Sequence, residues 1–451
     1  IDSPDPYTPG HGNPGYTVTH YDLELECRLA SNRLSGRARL SVRTTTALPV
    51  LTLDLAGLRA TKIAVDGAKV AKFAQRGTKL VITPKAALAA DTPVVLDIRY
   101  EGNPSPLASA WGEVGWEELD DGVLVAGQPT GAPSWFPCND HPSHKSSYRI
   151  SISTDAGYRA VCNGSLVGHT TKSSRETWVY EQAEPMASYL ATVQIGRYEL
   201  AELAGGAHAH SGAGSTPGSL GVPIHAAVPV VLLVDAATAL AHQRAMMDTF
   251  VQCFGPYPFR GYTVVVTEDE LEIPLEAQTV SIFGRNHLST SWEAQRLIAH
   301  ELSHQWFGNS LTAGSWRDIW LHEGFACYAE WLWSEECGAG STDSRARAAH
   351  LMLDTLPKDL VIGDPGPELM FDDRVYKRGA LALHALRCVV GDGLFFTVLR
   401  SWSAEHRHGT VDTPAFAALA SRVCASVDGF DAEALLKPWL YGTALPSFPG
   451  S

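Results

Sequence analysis

At 451 residues, with 45% hydrophobic and 19% charged residues, the chain is long enough for two or three domains with cores of their own. A formal net charge of -14 argues against nucleic acid or an anionic membrane surface as the main partner. No uninterrupted apolar run approaches the roughly 20 residues that span a bilayer, so no membrane-spanning segment is expected.

Residues 1 to 15 are rich in Pro, Gly and Asp and read as an extended lead-in without structure of its own. From Tyr16 the chain alternates. Tyr21, Leu23, Leu25, Cys27 and Leu29 fall on one face, Asp22, Glu24, Glu26 and Arg28 on the other; Leu34, Ala38, Leu40 and Val42 then oppose Arg37, Arg39, Ser41 and Arg43. Both stretches predict half-buried antiparallel strands. Further strands are expected near 50–54, 62–65, 79–83, 94–100, 147–154 and 188–195, with turns at Asp66-Gly67 and Asn163-Gly164. Residues 1–204 therefore predict a β domain of sandwich or saddle type. Inside it, the segment from Gly127-Gln128-Pro129 to Asn139-Asp140 departs from the alternation and predicts a structured loop.

Residues 205–221 are Gly/Ser-rich and predict a flexible loop; His208 and His210 within it read as solvated rather than metal-binding. Residues 222–451 form the second predicted domain. Val228–Val234 reads as a buried strand, Ala236–Phe254 as helix, and Tyr262–Thr267 and Thr279–Phe283 as strands. From Ser291 onward the chain is mainly helical, with a helix capped by Thr290 or Ser291, a second from Trp320 to Cys337, and later ones over 376–391, 393–406, 413–425 and 431–440. The whole is an α+β, multidomain chain.

Eight cysteines (Cys27, Cys138, Cys162, Cys253, Cys327, Cys337, Cys388, Cys424) lie scattered without C-x-x-C pairs, which reads as buried thiols in a reducing cytoplasm. The chain starts at Ile1 rather than Met, so a removed upstream segment, and with it a secreted form, stay open. A monomer is expected.

The chemistry concentrates in residues 296–330. His300 and His304 are four apart in a predicted helix, so both imidazoles face the same way and can hold one Zn²⁺. Glu301 flanks that pair, as a general base for the water that a zinc site activates must. Glu323, early in the next helix, supplies a third ligand. Three ligands leave one position open, the pattern of a catalytic site with one zinc per chain. Glu323, Cys327 and Glu330 share a stripe; Glu330 is placed to hydrogen-bond a zinc histidine, and Cys327 reads as core. The plain alternative is an amphipathic helix with hydrogen-bonded histidines, but two histidines and two glutamates would each need a buried partner.

These residues resemble the gluzincin signature of the aminopeptidase N family, which includes leukotriene hydrolase: His300-Glu301 through His304, then Glu323 in Trp-Leu-His-Glu-Gly-Phe-Ala. Residues 135–142 (Trp-Phe-Pro-Cys-Asn-Asp-His-Pro), 160–164 and 185–190 look like landmarks of that family's N-terminal β domain, and 439–443 like the end of its thermolysin-like catalytic domain. The resemblance covers nearly the whole chain and implies a short form without the C-terminal helical domain of larger members. It implies that Tyr376, in Val-Tyr-Lys-Arg-Gly-Ala, donates a hydrogen bond to the tetrahedral oxyanion, and that Glu276 and Gln128 bind the substrate's α-ammonium. The family's Gly-x-Met-Glu-Asn motif falls on Ile273–Ala277, where only the glutamate matches; His322 stands where Asn is usual, and Lys377-Arg378 where Glu-Lys is usual. Backbone beside Glu276 should pair with substrate by strand addition, and Pro274 removes one donor there. The implied activity is a zinc aminopeptidase acting on peptides with a free N-terminus. Two rivals stay open: an endopeptidase or other hydrolase on the same zinc site, and a non-catalytic binding module that kept the fold.

Overall fold

The structure is a computed structural model and describes residues 4–203 and 221–449. The predicted loop 205–221 lies, apart from Gly221, outside the described residues, and His208 and His210 with it. Contacts group the chain into two units: Ile1–Ala201 with His225–Leu233 and Phe259–Arg285, and the remainder, chiefly Val234–Pro258 and Asn286–Ser451.

In the first unit the predicted alternation becomes two long strands, Tyr16–Arg28 and Arg33–Thr44, paired antiparallel with Leu23 opposite Ala38. Tyr21, Leu23, Leu25 and Cys27 are buried while Glu24, Glu26 and Arg28 face solvent, as a period of two requires. These strands lie near the middle of an eight-stranded sheet, flanked by Lys145–Asp155 on one side and Pro93–Gly102 on the other. Tyr16–Arg28 also runs parallel to Lys145–Asp155, with Leu23 opposite Ile150, while its pairing with Arg33–Thr44 is antiparallel as expected. Alternation dictates which face is buried; it carries no information on which strand, over a hundred residues away, lies alongside or in what direction. Two smaller sheets complete the β layers, one built on Leu51–Asp54 and Lys79–Thr83, the other on Gly112–Leu119, Gly122–Ala126 and Arg159–Cys162.

Three expectations are corrected here. The lead-in is structured: Tyr7 and Thr8 are buried, the Gly12 amide and Asn13 Nδ2 donate to Asp54 Oδ2 at 3.1 and 3.0 Å, and His11 Nδ1 meets Asp140 Oδ2 at 2.8 Å. Asp54 also pairs with Lys79. The partners that order this segment sit in distant parts of the chain, so no local pattern reveals them. Asn163-Gly164 separates two strands as expected, though these do not pair with each other: Arg159–Cys162 pairs with Val193–Gly196 and Ser165–Lys172 with Arg175–Ala187. Asn163 is a buried bracket, its Nδ2 donating to the Leu190 and Gln278 carbonyls at 2.8 and 2.7 Å while its Oδ1 accepts from the Thr192 amide at 2.7 Å. Residues 188–190 form a short 3-10 turn, leaving a strand only over Val193–Gly196. Finally, the expected strand Val228–Val234 ends at Pro229, and Val230, Val231 and Val234 are 63, 74 and 77% exposed. The segment Gly127–Pro142 is a structured, largely buried loop as expected.

A further five-stranded sheet, ordered Tyr198–Glu202, Ile224–Pro229, Tyr262–Thr267, Val280–Gly284, Leu275–Ala277, lies almost wholly in the first unit and is part of its core: Leu124 and Val161 cluster with Ala227, Val265, Ala277 and Ile282. Leu275–Ala277, which carries Glu276, is its edge strand, with Glu276 opposite Ser281.

The described residues form eight α-helices, in chain order α1 Leu233–Ala239, α2 Gln243–Phe254, α3 Trp292–Ser303, α4 Trp320–Glu336, α5 Thr342–Thr355, α6 Asp373–Glu405, α7 Thr413–Val423 and α8 Ala432–Leu440. The single helix expected over 236–254 breaks into α1 and α2, and α5 was not expected at all. The break expected between 391 and 393 is a kink at Gly391, whose φ of 76° is non-helical. By length and composition α6 is apolar enough to cross a membrane. Its first half, however, is buried against α4, which gives those side chains a protein partner. All eight cysteines are unpaired, and five of them are buried.

Candidate metal centre and active site

The site is built on α3, α4 and the start of α6, all in the second unit. Ser291 caps α3 by accepting from the Ala294 amide at 3.4 Å, and the helix then carries His300 and Glu301 to its last turn. His304 is the residue just beyond, still in right-handed helical conformation. The turn that follows is anchored by Trp306, whose Nε1 donates to the Gly255 carbonyl at 3.0 Å and whose ring packs edge-on against Phe250 and Phe254. Because of that anchor the Phe307 carbonyl stands 2.9 Å from His304 Nδ1.

α4 lies against α3 and brings Glu323 in its first turn. Glu323 Oε2 is 3.3 Å from His300 Nε2 and 3.5 Å from His304 Nε2, and all three residues are buried. Seven residues on, on the same face of α4, Glu330 Oε1 is 2.8 Å from His300 Nδ1, the contact that the spacing predicts. With Nδ1 of each imidazole against a fixed acceptor, Nε2 is the nitrogen turned toward Glu323 and the one able to bind a metal once unprotonated. Arg296, one turn before His300, donates to Glu330 Oε2 at 3.3 Å and holds that carboxylate from its other side.

This donor set fits a zinc ion. Two ligand atoms bound tetrahedrally at roughly 2.0–2.1 Å stand about 3.3–3.4 Å apart, close to the two separations found. Among the described residues, His300, His304 and Glu323 form a group whose ligand atoms all lie within 4.8 Å of one another.

Without a metal this cluster is an ion-pair network. Burial opposes charge on His300, but hydrogen bonds to Glu323 and Glu330 outweigh it and push the imidazole up to about 10. Burial likewise opposes charge on Glu323 and Glu330; the histidines, aided at Glu330 by the Lys377 and Arg296 charges, hold both carboxylates below their ordinary range. A raised imidazole contributes stability fully below its unfolded value of roughly 6.5 and loses it as pH rises through about 10. Zinc requires the same nitrogen unprotonated, so at pH 7 to 8 binding should release about one proton from His300. Calorimetric titration of the chelated protein with Zn²⁺ in two buffers of different ionisation enthalpy should show that release, declining toward pH 10. Equal apparent enthalpies in both buffers at pH 7.5 would show that His300 is already neutral.

The first helical turn of α6 brings Tyr376. Its ring lies 6.0 Å from the His300 ring at 19°, a stacked arrangement that puts the phenol alongside that imidazole. α6 can approach α4 this closely because two glycines meet. A Cβ added to Gly324, the residue after Glu323, would stand 2.9 Å from the Gly379 backbone, and one on Gly379 would stand 2.9 Å from the Gly324 Cα. Neither contact could relax without moving a helix.

The comparisons with known proteins agree with this geometry. A model described as the Peptidase family M1 domain matches residues 238–439, and one described as the Peptidase M1 N-terminal domain matches residues 17–190. The chain belongs to peptidase family M1. An M1 zinc metallopeptidase from Deinococcus radiodurans superposes with a TM-score of 0.87 at 29% identity, over 99% of this chain and 98% of that one. A mutant of an M1 zinc metallopeptidase from the same organism, bound to a Tyr-Ser-Ala substrate, gives 0.87 at 28% identity over the same shares. Leucyl aminopeptidase of Saccharolobus solfataricus is 22% identical over 400 residues, covering 84% of this chain and 48% of the relative. The chain spans about half the length of the curated relatives it matches.

Of the seven site residues expected from sequence, the second unit holds His300, Glu301, His304, Glu323 and Tyr376, with Glu301 buried beside His300. Glu276 and Gln128 belong to the first unit. Glu276 is half-buried on an edge strand, and Pro274 lies just outside that strand, so the expected loss of a donor falls beyond the paired residues. Among the described residues Gln128 Nε2 is buried without a hydrogen-bond partner.

The departures from the M1 pattern also find places. His322 is buried, and its Nε2 accepts from the Ala313 amide at 2.7 Å, bracing the short strand Thr312–Ala313. Lys377 Nζ reaches Cys327 Sγ at 3.5 Å, so Cys327 is core as expected. Arg296 and Arg378 were missed by sequence reasoning. Arg296 could have been found from its i, i+4 relation to His300.

Proposed function

We propose that this chain is a zinc aminopeptidase that removes single residues from the free N-terminus of peptides. The observation that carries the reading is the convergence of His300, His304 and Glu323, each histidine fixed through its other nitrogen, with Glu301 and Tyr376 beside them. His300, His304 and Glu323 would hold the zinc. Bound there, Zn²⁺ would supply a Lewis acid that polarises the scissile carbonyl and makes water nucleophilic at neutral pH. Glu301 takes the proton of the attacking water and passes it to the departing amine. Tyr376 donates its hydroxyl proton in a hydrogen bond to the oxyanion that develops. Glu276 and Gln128 bind the substrate α-ammonium, and Leu275–Ala277 is an edge strand, the kind of element to which a peptide main chain adds by strand pairing. The names of the relatives and the tripeptide in the Deinococcus enzyme support the same class of substrate.

A bound ammonium is what separates an aminopeptidase from an endopeptidase on the same metal. A charge-assisted hydrogen bond to Glu276 is worth about 1.5–3 kcal/mol, roughly tenfold to a hundredfold. N-acetylated peptides should therefore be cut at least about tenfold more slowly than free ones, and Glu276→Ala should erase most of that difference by slowing only the free substrate. Paired kcat/KM values on one peptide, free and acetylated, test this. A mutant that still prefers the free peptide as strongly as the wild type would mean that the ammonium binds elsewhere; equal rates in the wild type would favour the endopeptidase.

A further inference from the structure

Arg378 is two residues past Tyr376 in α6 and is buried, 5% exposed. Among the described residues its guanidinium pairs with no acid. Nη2 donates to the carbonyls of Pro438, Gly442 and Ala444 at 2.8, 2.6 and 2.8 Å, and Nη1 donates to the Thr443 carbonyl at 3.1 Å. These four acceptors belong to the last turn of α8 and the segment that leaves it, where carbonyl groups lack helical partners and the helix end is partially negative. Burial pulls the guanidinium down to about 10, which still leaves it charged at neutral pH. Among the described residues its Nε is buried without a partner, so the four main-chain oxygens at Nη1 and Nη2 carry the tie between the two backbones and leave it little freedom to slide.

The geometry gives that tie a direction. Three residues along a helix return to nearly the same face, so Gly379 lies on the Tyr376 side of α6, where it meets Gly324 of α4. Two residues along is the opposite side, so Arg378 grips the 438–444 segment from behind. The first turn of α6 is thus held between a backbone stop beside Glu323 and a four-bond clamp. Asp372 caps the same turn by accepting from the Arg374 amide at 2.9 Å. We propose that Arg378 is a positioning residue for Tyr376: by fixing α6 to residues 438–444 it sets the phenol hydroxyl where the oxyanion forms. The inference rests on the reading of Tyr376 given above. Catalytic groups must be held to within about 0.5 Å of their working place, and about 1 Å of misplacement can cost about a hundredfold in rate.

A double-mutant cycle separates positioning from plain scaffolding. Arg378→Gln in the zinc-loaded full chain should lower kcat roughly tenfold or more, with KM within about twofold and one zinc per chain retained. Arg378→Lys keeps a charge and three donors and should recover most of the loss. In a Tyr376→Phe background, where there is no hydroxyl to place, Arg378→Gln should change kcat by less than about twofold. Should Arg378→Gln fail to fold, Arg378→Met, which keeps the buried stem but has neither charge nor donors, carries the same cycle with the same expected losses. A loss of the same factor in both backgrounds, or no loss in either, overturns the proposal. If Tyr376→Phe alone leaves kcat unchanged, it is the reading of Tyr376 that fails, and the proposal falls with it.

Discussion

Glu301→Gln should leave the zinc in place and abolish nearly all turnover. The substitution changes one oxygen for an NH₂ group at a buried position of α3, so the helix and its Ser291 cap are undisturbed. Glu330 holds His300 and the Phe307 carbonyl holds His304, so each histidine keeps a fixed partner when residue 301 is changed. Metal content by elemental analysis should therefore stay at one per chain. A glutamine cannot take a proton from the attacking water or deliver one to the leaving amine. A positioned general base is worth roughly a hundredfold to ten-thousandfold, so kcat should fall by at least about a hundredfold. KM should change far less, since Glu301 is assigned no part in binding the peptide. Near-normal kcat with full zinc would remove Glu301 from the mechanism. Full zinc with no turnover in the wild type, on any free peptide tried, would instead favour a binding module that kept the fold.

The parts of this molecule that sequence reveals are those whose cause is local. His300 and His304 sit four apart on a helix because the period of the helix demands it, and Glu330 follows Glu323 by two turns for the same reason, so that contact with His300 is legible before folding. The paired strands from Tyr16 to Thr44 are legible because one face of each is buried. Other features are not. α5 was missed because the residues it buries are Thr342, Ala346, Ala349 and Leu353, a stripe of mostly small side chains, while Leu351 points out at 69% exposure and blurs the period. The order in residues 4–15 comes from Asp54, Asn139 and Asp140, and the bracket at Asn163 from carbonyls over a hundred residues away as well as nearby. Arg378 is the hardest case, since its acceptors are backbone carbonyls of Pro438 to Ala444 and any residue type would supply them. The meeting of Gly324 and Gly379 lies between these extremes: each glycine is visible in the sequence, but only the crossing of α4 and α6 explains why neither can carry a Cβ.

Replacing Tyr376 by Phe should lower kcat about a hundredfold to a thousandfold, the cost of one oxyanion donor at roughly 2.7–4 kcal/mol. The aromatic ring is retained, and with it the stacking on His300 at 6.0 Å, so the imidazole that the ring covers should keep its place and its zinc. What disappears is one hydroxyl. Tyr376 is half-buried, so the hydroxyl's loss leaves no deep cavity and should cost little stability. The hydrogen bond it donates matters most when the carbonyl oxygen has gained charge, because a neutral carbonyl accepts more weakly than an oxyanion. The loss should therefore appear in kcat and kcat/KM together, with KM moving by less than about threefold. Steady-state rates on one free peptide, with zinc measured on the same samples, decide the matter. A raised KM with unchanged kcat would make Tyr376 a ground-state contact to the peptide. No change in either constant would leave it as a ring that packs on His300 and nothing more.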